Sequence, residues 1–279
     1  MLLKPLMRRL SRHLHAVGKM KMDYLELRKR NWAYFSGLGL DIGPFDKPFI
    51  PDPAALKLTV ETVDRWAPAD LKRVFPEIQD SVVADPTYVY DVSAGGLGFA
   101  PDQRYDFVIC SHVLEHVANP LHLLAECARV LKNGGVLYVS VPDGRYSDDQ
   151  GRALVDYPYL LDLYRSGRTD IPDQRVMDYL RAPRICTGWV KEVIDNNAVT
   201  PEILDNERLR SFHVHVWDSA LFMEHLVRFS ADASLGWELL DLSRWEENGY
   251  EAVLILRKTP GTGQARFAQS VADRIKAPG

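Results

Sequence analysis

The sequence predicts an α/β protein whose core is a mostly parallel β-sheet that ends in an antiparallel hairpin. From residue 36 onward, short apolar segments with strand character alternate with segments of helical periodicity. This alternation is typical of a parallel sheet covered by helices. The last two strand candidates flank one turn, which indicates a hairpin. About 90 residues without a strand pattern separate the fifth and sixth candidates, so we also predict a long helical insertion there.

Seven segments have the length and composition of strands. The first ends in a glycine turn, Asp41 to Gly43, and the second and third end at Asp64 and near Asp91. The last two are separated by Asn248-Gly249, a dipeptide typical of turns. The predicted strands occupy residues 37–43, 56–64, 87–93, 105–111, 134–143 and two stretches within 237–258.

The helix between the fourth and fifth strands has the clearest predicted boundaries. Asn119 suits the N-cap and Pro120 suits the first helical position. Gly134 suits a C-terminal cap. In the insertion, helical periodicity predicts three short helices: DYPYLLDLYRSG at 156–167, QRVMDYLRA at 174–182 and SALFMEHLVRFS at 219–230.

Composition excludes several classes of protein. The 279 residues are 46% hydrophobic and 26% charged, which is typical of a globular chain and excludes a collagen, a disulfide scaffold and a fully disordered protein. The three cysteines are odd in number and lack metal-ligand spacing, so we expect them to be reduced. No apolar run reaches the roughly 18 residues of a membrane-spanning helix, and the start lacks the apolar core of a signal peptide. We therefore expect a cytoplasmic protein.

Charge is distributed unevenly along the chain. Residues 1–30 contain nine Lys/Arg and two Asp/Glu, a net charge of +7, whereas the whole chain has −4 and the remainder therefore has −11. Apolar residues of this segment follow helical spacing, which predicts a basic amphipathic segment. It could bind an anionic membrane surface, RNA or a second subunit, or pack on its own domain. The predicted organisation is this segment at 1–36, a domain at 37–258 with the insertion at 143–235, and a peripheral tail at 259–279.

One continuous segment resembles a known family. Residues 105–146, YDFVICSHVLEHVANPLHLLAECARVLKNGGVLYVSVPDGRY, contain a strand, a VLEHV stretch, a helix ending in RVLKNGG and a strand ending in Pro-Asp. This segment resembles the class I S-adenosylmethionine-dependent methyltransferases, of the type 11/23-like kind, and its place in the chain also matches. The resemblance implies a Rossmann-like seven-stranded fold, methyltransferase activity and S-adenosylmethionine as cofactor.

The ends of the first three strands each provide an acidic side chain. In an open parallel sheet, ligands bind beside the carboxyl ends of the strands. Asp41 could receive an ammonium group, Asp64 could accept two ribose hydroxyls, and Asp91 could accept an exocyclic amine. The resemblance implies that these are the methionine, ribose and adenine positions of the family. The residues predicted to bind the cofactor are Asp41, Gly43, Pro44, Asp64, Asp91, Val92, Ser111 and His112.

The first turn departs from the pattern of the family. Its members usually have two or three glycines there, whereas this chain has DIGPFDKP at 41–48. This form of the turn, together with Pro-Asp-x-Arg-Tyr at 142–146 and His-Val-Trp at 215–217, resembles a subgroup associated with polysaccharide and O-antigen biosynthesis. The resemblance implies a sugar or glycan precursor as acceptor. A single glycine is also compatible with an ordinary turn.

Methyl transfer to a hydroxyl needs a group that accepts the proton of the nucleophile. Histidine has a suitable proton affinity near neutral pH, and we predict that His112 and His215 are catalytic. The alternative for His112 is that it only orders the loop after the fourth strand. His213 and His215 would point the same way on an extended segment, but no third ligand has recognisable spacing, so we predict no metal.

Four further residues are predicted to hold the acceptor. Arg145 and Tyr146 follow the fifth strand and suit a polar or anionic group. The set is completed by two residues of the insertion, His213 and Trp189. The alternatives are an ion pair of Arg145 with Asp148 or Asp149, and core packing for Trp189.

These observations predict a methyltransferase acting on a hydroxyl, or less readily an amine, of a small polar acceptor. The alternatives are a catalytically silent binding or scaffold subunit, a nicotinamide-dependent oxidoreductase and an RNA methyltransferase. The missing G-x-G-x-x-G after the first strand disfavours the oxidoreductase, and the acidic remainder disfavours RNA. The expected partners are a small-molecule acceptor and no stable nucleic acid. A membrane or subunit contact through the basic segment and a homodimer remain open.

Overall fold

A single mixed sheet forms the centre of the structure, a computed structural model that describes residues 24–94, 96–249, 251–261 and 263–276. Residues 1–23, most of the predicted basic segment, lie outside these ranges. The strand order is β3-β2-β1-β4-β5-β7-β6, and β7 is antiparallel to both of its neighbours. This confirms the predicted fold class. The strands are β1 (Leu38–Ile42), β2 (Thr59–Asp64), β3 (Tyr88–Val89), β4 (Tyr105–Ser111), β5 (Leu131–Pro142), β6 (Gly236–Ser243) and β7 (Glu251–Thr259).

Helices connect the strands and cover the sheet. They are α1 (Tyr24–Lys29), α2 (Pro68–Val74), α3 (Pro120–Val130), α4 (Tyr157–Ser166), α5 (Asp173–Leu180), α6 (Trp189–Asp195), α7 (Pro201–Leu209), α8 (Ser219–Asp232), α9 (Trp245–Asn248) and α10 (Gln264–Lys276). Among the described residues, no helix combines the length and the apolar character that a membrane span requires. The three cysteines are free, as expected.

Alternate residues of β4 enter two different cores. Val108 and Cys110 pack in the larger core with residues of α3 and α8, whereas Phe107 and Ile109 pack in a second core with Phe35. Successive side chains of a strand point to opposite faces, so the sheet is covered on both sides, as parallel strands require.

The helix α3 begins as predicted. The side chain of Asn119 accepts a hydrogen bond from the backbone N–H of His122 at 3.2 Å, and Pro120 occupies the first turn. The predicted cap at Gly134 is wrong, because the helix already ends at Val130. Leu131 is fully buried and pairs with Tyr105 of β4. The strand β5 therefore begins three residues before Gly134.

The insertion contains the three predicted helices and two that were not predicted. α4, α5 and α8 coincide with the predicted segments, and Asp218 caps α8 by accepting the N–H of Leu221 at 2.8 Å. The additional helices are α6 and α7, each of which buries a single residue, Val190 and Leu204. Their apolar periodicity is therefore too weak to detect in the sequence.

The hairpin is confirmed, and the chain turns at Asn248-Gly249 as predicted. The short helix α9 precedes this turn and ends at Asn248, and Gly249 caps it with φ +77°. The buried side chain of Asn248 donates to Ser243 Oγ and to the Glu251 carbonyl, both at 2.9 Å. These hydrogen bonds stabilise a longer connection than a two-residue turn.

The residues after 259 are not peripheral, which corrects the prediction. They form α10, which packs on β6 and α8. Phe267 is 1% exposed and Val271 is 2% exposed, and both belong to the larger core. The amphipathic pattern of this helix, rather than its position at the end of the chain, determines its burial.

We therefore expect Phe267→Ala to lower the free energy of unfolding by about 3–5 kcal/mol, because it removes a buried aromatic side chain and leaves a cavity. Urea denaturation followed by circular dichroism measures the change. Arg266→Ala, at the exposed neighbouring position, is the control and should change stability by less than about 0.5 kcal/mol. Equal stabilities of the two variants would show that the helix does not contribute to the core.

Candidate active site

A cavity of about 420 Å³ lies beside the carboxyl ends of the first four strands. Its size is within the range of roughly 300–1,000 Å³ that small-molecule sites occupy. The location is where β1 pairs with both β2 and β4, so that the strand order reverses, and open α/β sheets bind ligands at this point. All residues predicted to bind the cofactor line this cavity: Asp41, Gly43, Pro44, Asp64, Asp91, Val92, Ser111 and His112. Their individual contacts with a cofactor stay predictions.

The turn after β1 contains one glycine, Gly43, and its backbone conformation there requires a glycine. Gly43 has φ +63°, a conformation that glycine adopts without strain, and its N–H donates to the Val63 carbonyl at 2.8 Å. A Cβ there would lie 3.3 Å from Val113 Cγ2, so a side chain would also crowd the loop after β4. The single glycine thus stands where the backbone approaches the cavity.

Asp41 is buried beneath this turn. Its side chain is 3% exposed, and Oδ2 accepts a hydrogen bond from the Phe49 N–H at 2.9 Å. Burial disfavours the charged carboxylate and raises the pKa of Asp41 to about 7, although the Phe49 N–H and Arg28 act in the opposite direction. A cation that entered the cavity would favour the ionised form.

Asp64 and Asp91 are held in place by local hydrogen bonds. Asp64 Oδ2 accepts the Phe45 N–H at 3.1 Å, and burial raises the pKa of this carboxyl group. Asp91 Oδ1 accepts the Ser93 N–H at 2.9 Å, while Oδ2 lies 2.9 Å from Arg65 Nε. Because β1, β2 and β3 are adjacent and parallel, the three acids follow one another along one edge of the cavity.

The sequence did not reveal the aromatic and basic wall that also lines the cavity. Phe45 and Phe75 contact edge to face with their ring centroids 5.0 Å apart. The guanidinium of Arg210 lies 4.8 Å from the Phe75 ring and donates to the Val74 carbonyl at 2.6 Å. The wall also includes Arg28, Lys47, Trp66 and Leu71. Within the described residues, the insertion contributes Arg210 and Ser211 to the lining.

This arrangement fits the predicted cofactor. An apolar and aromatic wall suits an adenine ring, and the acids at the ends of β2 and β3 suit its ribose hydroxyls and amine. The buried Asp41 with a pKa near neutrality suits an ammonium group, and the glycine turn admits backbone close to the ligand. The donor set therefore matches S-adenosylmethionine in charge and polarity.

His112 stands at the end of β4 in a strained conformation. Its φ is +54°, which is uncommon for a non-glycine residue and is often found at functional sites. Nε2 lies 2.7 Å from Glu251 Oε2, and Nδ1 lies 3.4 Å from Glu115 Oε1. Glu251, which is fully buried at the start of β7, was missed by the sequence analysis. The one feature of the sequence that could have identified Glu251 is its charge, because it stands at the start of an otherwise apolar strand.

A buried polar cluster adjoins His112. Glu115 is 1% exposed, and neither carboxylate oxygen accepts a hydrogen bond of normal geometry from the described residues. Burial alone would raise its pKa, but His112, His116 and His213 outweigh this effect and lower it. His116 also lines the cavity, and burial lowers the pKa of His116 to about 4.

His213, predicted to hold the acceptor, belongs to this polar cluster instead of the cavity lining. Its Nδ1 lies 2.6 Å from Asp149 Oδ2. Burial would lower the pKa of His213, but Asp149 raises it above the usual value for histidine. The Asp149 carboxylate therefore fixes the orientation of the ring.

The structure does not support a catalytic role for His215. The side chain is 1% exposed and does not line the cavity, and Nε2 lies 3.2 Å from the Ala118 carbonyl. Burial lowers the pKa of His215 to about 3. Its ring packs near Tyr159 and Trp217. The predicted proton acceptor is thus a core histidine, because the extended segment turns this side chain away from the cavity.

Arg145, Tyr146 and Trp189 do not line this cavity, and their predicted contact with the acceptor stays a prediction. Arg145 Nη2 lies 2.7 Å from Asp143 Oδ2 and 2.9 Å from Glu246 Oε1. Tyr146 stacks on Trp245 at 3.4 Å between ring centroids. Trp189 packs against the small core of the insertion. Arg145 thus forms ion pairs within the fold, and Tyr146 and Trp189 pack against other side chains.

Comparison with known proteins agrees with this geometry. A family model described as a methyltransferase domain matches residues 24–182, which is more than half of the chain. A ubiquinone biosynthesis O-methyltransferase of Klebsiella pneumoniae is 26% identical over 180 residues, covering 64% of this chain and 69% of the relative. Another, of Yersinia pestis, is 32% identical over 90 residues, covering 32% of this chain and 34% of the relative. A solved SAM-dependent methyltransferase from Methanosarcina mazei has 17% identity and a TM-score of 0.42, covering 83% of this chain and 97% of that one.

The match to the family over more than half of the chain, the strand order and the cavity at the reversal point lead to one conclusion. The chain belongs to the methyltransferase domain family and is a class I S-adenosylmethionine-dependent methyltransferase, with S-adenosylmethionine as its cofactor.

Proposed function

We propose that this enzyme methylates a hydroxyl group of a small acceptor that enters the cavity beside His112. The observation that supports this most directly is the position of His112, which lines the cavity in a strained conformation between two buried carboxylates. A hydroxyl loses its proton when it is methylated, so the enzyme benefits from a base at this point. Relatives named ubiquinone biosynthesis O-methyltransferase also favour an oxygen nucleophile.

Residues at the strand ends would hold the cofactor. Asp41 would receive its ammonium group, Asp64 its ribose hydroxyls and Asp91 its adenine amine, with the backbone at Gly43 close to the ligand. When bound, S-adenosylmethionine supplies an electrophilic methyl group on a sulfonium centre. The protein then needs only to align the nucleophile and accept its proton.

His112 is the proposed proton acceptor, and Glu251 is the residue that positions it. Nε2 of His112 lies 2.7 Å from Glu251 Oε2, which orients the imidazole in the cavity wall. When the imidazole accepts the hydroxyl proton, it becomes an imidazolium. Glu251 and Glu115, the latter 3.4 Å from Nδ1, stabilise this charge in a site of low polarity.

Two classes of hydroxyl-containing acceptor are candidates for this reaction. The residues first expected to hold a sugar, Arg145, Tyr146 and Trp189, are engaged elsewhere, so the resemblance to the glycan-related subgroup is the remaining argument for a sugar. An aromatic hydroxyl is a second candidate, because Phe45, Trp66 and Phe75 line the cavity and the relatives act in ubiquinone biosynthesis by name.

A direct assay separates these candidates. The full chain is incubated with radiolabelled S-adenosylmethionine and matched panels of nucleotide sugars, free sugars, phenols and amines. Methylation of an oxygen in either hydroxyl panel supports the proposal and identifies the class. Transfer to amines alone would contradict it.

The raised pKa of Asp41 predicts that cofactor binding depends on pH. Below pH 7 the free protein holds Asp41 protonated, so binding an ammonium group must release this proton. We expect the affinity for S-adenosylhomocysteine to fall by up to about tenfold per pH unit below 7. Calorimetry in buffers of different ionisation enthalpy should detect the proton release at pH 6.

Asp41→Asn removes the titrating group and should bind S-adenosylhomocysteine more weakly, without this proton release. Asp52→Asn, which changes an exposed carboxylate outside the cavity lining, should behave as the unchanged protein does. Proton release that persists in Asp41→Asn would assign the titration to another group.

Substituting the proposed base should reduce turnover more than cofactor binding. We expect His112→Gln to lower kcat by about 10²–10⁴-fold, the usual contribution of general base catalysis. Glu251→Gln should lower kcat less and move the acidic limb of the pH–rate profile to lower pH, because the imidazolium loses a neighbouring charge. Steady-state kinetics with the acceptor from the panel measures both effects.

His122→Gln, in α3 and outside the cavity lining, controls for the loss of an imidazole. An unchanged kcat in His112→Gln would leave this residue with a role in ordering the loop only.

A further inference from the structure

The strongest unused feature of the structure is the polar cluster of Glu115, His116 and His213. Each residue offers one donor atom, and these atoms lie within 4.8 Å of one another. Glu115 and His116 stand in the loop after β4, whereas His213 belongs to the insertion. The proposed methyl transfer assigns His116 and His213 no task.

The carboxylate of Glu115 is buried with few stabilising contacts. Both oxygens are buried, and their nearest charged neighbours are at long distances, 3.4 Å to His112 Nδ1 and 3.9 Å to His116 Nε2. His112 is the side chain that interacts most strongly with this carboxylate, and among the described residues neither oxygen accepts a hydrogen bond of normal geometry. A buried carboxylate without such partners costs stability unless a cation compensates it.

The two histidines are oriented as metal ligands usually are. His116 Nδ1 lies 3.3 Å from the Phe212 carbonyl, and His213 Nδ1 lies 2.6 Å from Asp149 Oδ2. Metal-binding histidines generally donate one ring N–H to a carbonyl or carboxylate, and this fixes the other nitrogen toward the ion. In both rings Nδ1 is engaged in this way, so Nε2 is the nitrogen that remains for an ion.

The backbone holds the three residues together. Val214 N–H donates to the Glu115 carbonyl at 2.7 Å, and His215 N–H donates to the same oxygen at 3.2 Å. The insertion is therefore fixed directly to the residue that provides the carboxylate. The His116 and His213 rings lie 4.7 Å apart between centroids.

We propose that Glu115, His116 and His213 form a binding site for a divalent transition-metal ion of the Zn²⁺ type at the wall of the cavity. Two imidazoles and one carboxylate suit borderline metals better than Mg²⁺ or Ca²⁺, which prefer oxygen ligands. Around an ion with four tetrahedral ligands at about 2.1 Å, the ligand atoms lie about 3.4 Å apart. Donor atoms that are up to 4.8 Å apart would have to approach one another by up to about 1.4 Å on binding.

Three protein ligands leave at least one coordination position for water or another oxygen ligand. His116 lines the cavity as well as the cluster, so the ion would be placed next to a bound acceptor. The metal site itself is tested without turnover, so its failure would not bear on the proposed methyl transfer.

The test uses the full chain, stripped with a chelator and titrated with Co²⁺ and Zn²⁺ alone. We expect one Co²⁺ per chain with a visible absorption spectrum typical of low coordination number, displaced by Zn²⁺. Glu115→Gln and His213→Ala should each weaken binding by at least about 100-fold. Asp149→Asn, which leaves the ligands in place, should weaken it by about 10–100-fold.

Two control variants test whether histidines outside the cluster bind Co²⁺. His122→Ala changes an imidazole outside the cluster and should bind Co²⁺ normally. The double variant His13→Ala/His15→Ala removes the two histidines of the first 23 residues and should also bind normally. Binding of S-adenosylhomocysteine and circular dichroism report whether each variant is folded.

X-ray absorption of the Zn²⁺-loaded unchanged protein gives a second measurement that needs no variant, and two imidazoles in the coordination shell are expected. Absence of stoichiometric Co²⁺ binding would overturn the proposal. It would also be overturned by equal binding in the unchanged protein and in Glu115→Gln, or by a coordination shell without imidazole.

Discussion

Parallel pairing of β2, β1 and β4 is the constraint on which the site depends. Ile42 of β1 is in register with Val63 of β2 and with Cys110 of β4, so the three strands end at the same edge of the sheet. β1 and β4 are buried on both faces, which fixes their register because a shift by one residue would exchange the two cores. The loops after the strands consequently meet around one cavity, and the polar residues at the strand ends line it.

The sequence was sufficient for features that depend on local pattern. The positions of Asp41, Asp64 and Asp91 follow from where a strand ends, and a strand end is visible as a change from apolar to turn-forming residues. The position of Gly43 could also be predicted from the local sequence, because its role depends on one backbone conformation, which glycine adopts without strain. The VLEHV loop could be located for the same reason, since a strand and a capped helix of clear periodicity enclose it. These local signals predicted the cofactor side of the cavity.

Features that depend on distant contacts could not be predicted. Glu251 is 139 residues from its partner His112, and Asp149 is 64 residues from His213. Arg145 had the chemistry of an anion-binding residue, but its neighbours Asp143 and Glu246 satisfy it within the fold. Side-chain type alone did not distinguish His215, a core residue, from His112, a cavity residue. His215 packs near Tyr159 and Trp217, whereas His112 lines the cavity, and these surroundings are set by the packing of distant segments.

The attachment of the insertion explains which of its residues influence the chemistry. Its extended segment is bonded by two backbone N–H groups to the Glu115 carbonyl, so residues just before this point are held beside the loop that contains His112 and His116. Arg210 donates to the Val74 carbonyl and stacks over Phe75, which connects the insertion to the end of α2. Residues 145–146 and 189 lack such a connection to the cavity. Arg210 and Ser211 of the insertion line the cavity, and His213 belongs to the polar cluster, so this short segment connects the cavity wall to the cluster.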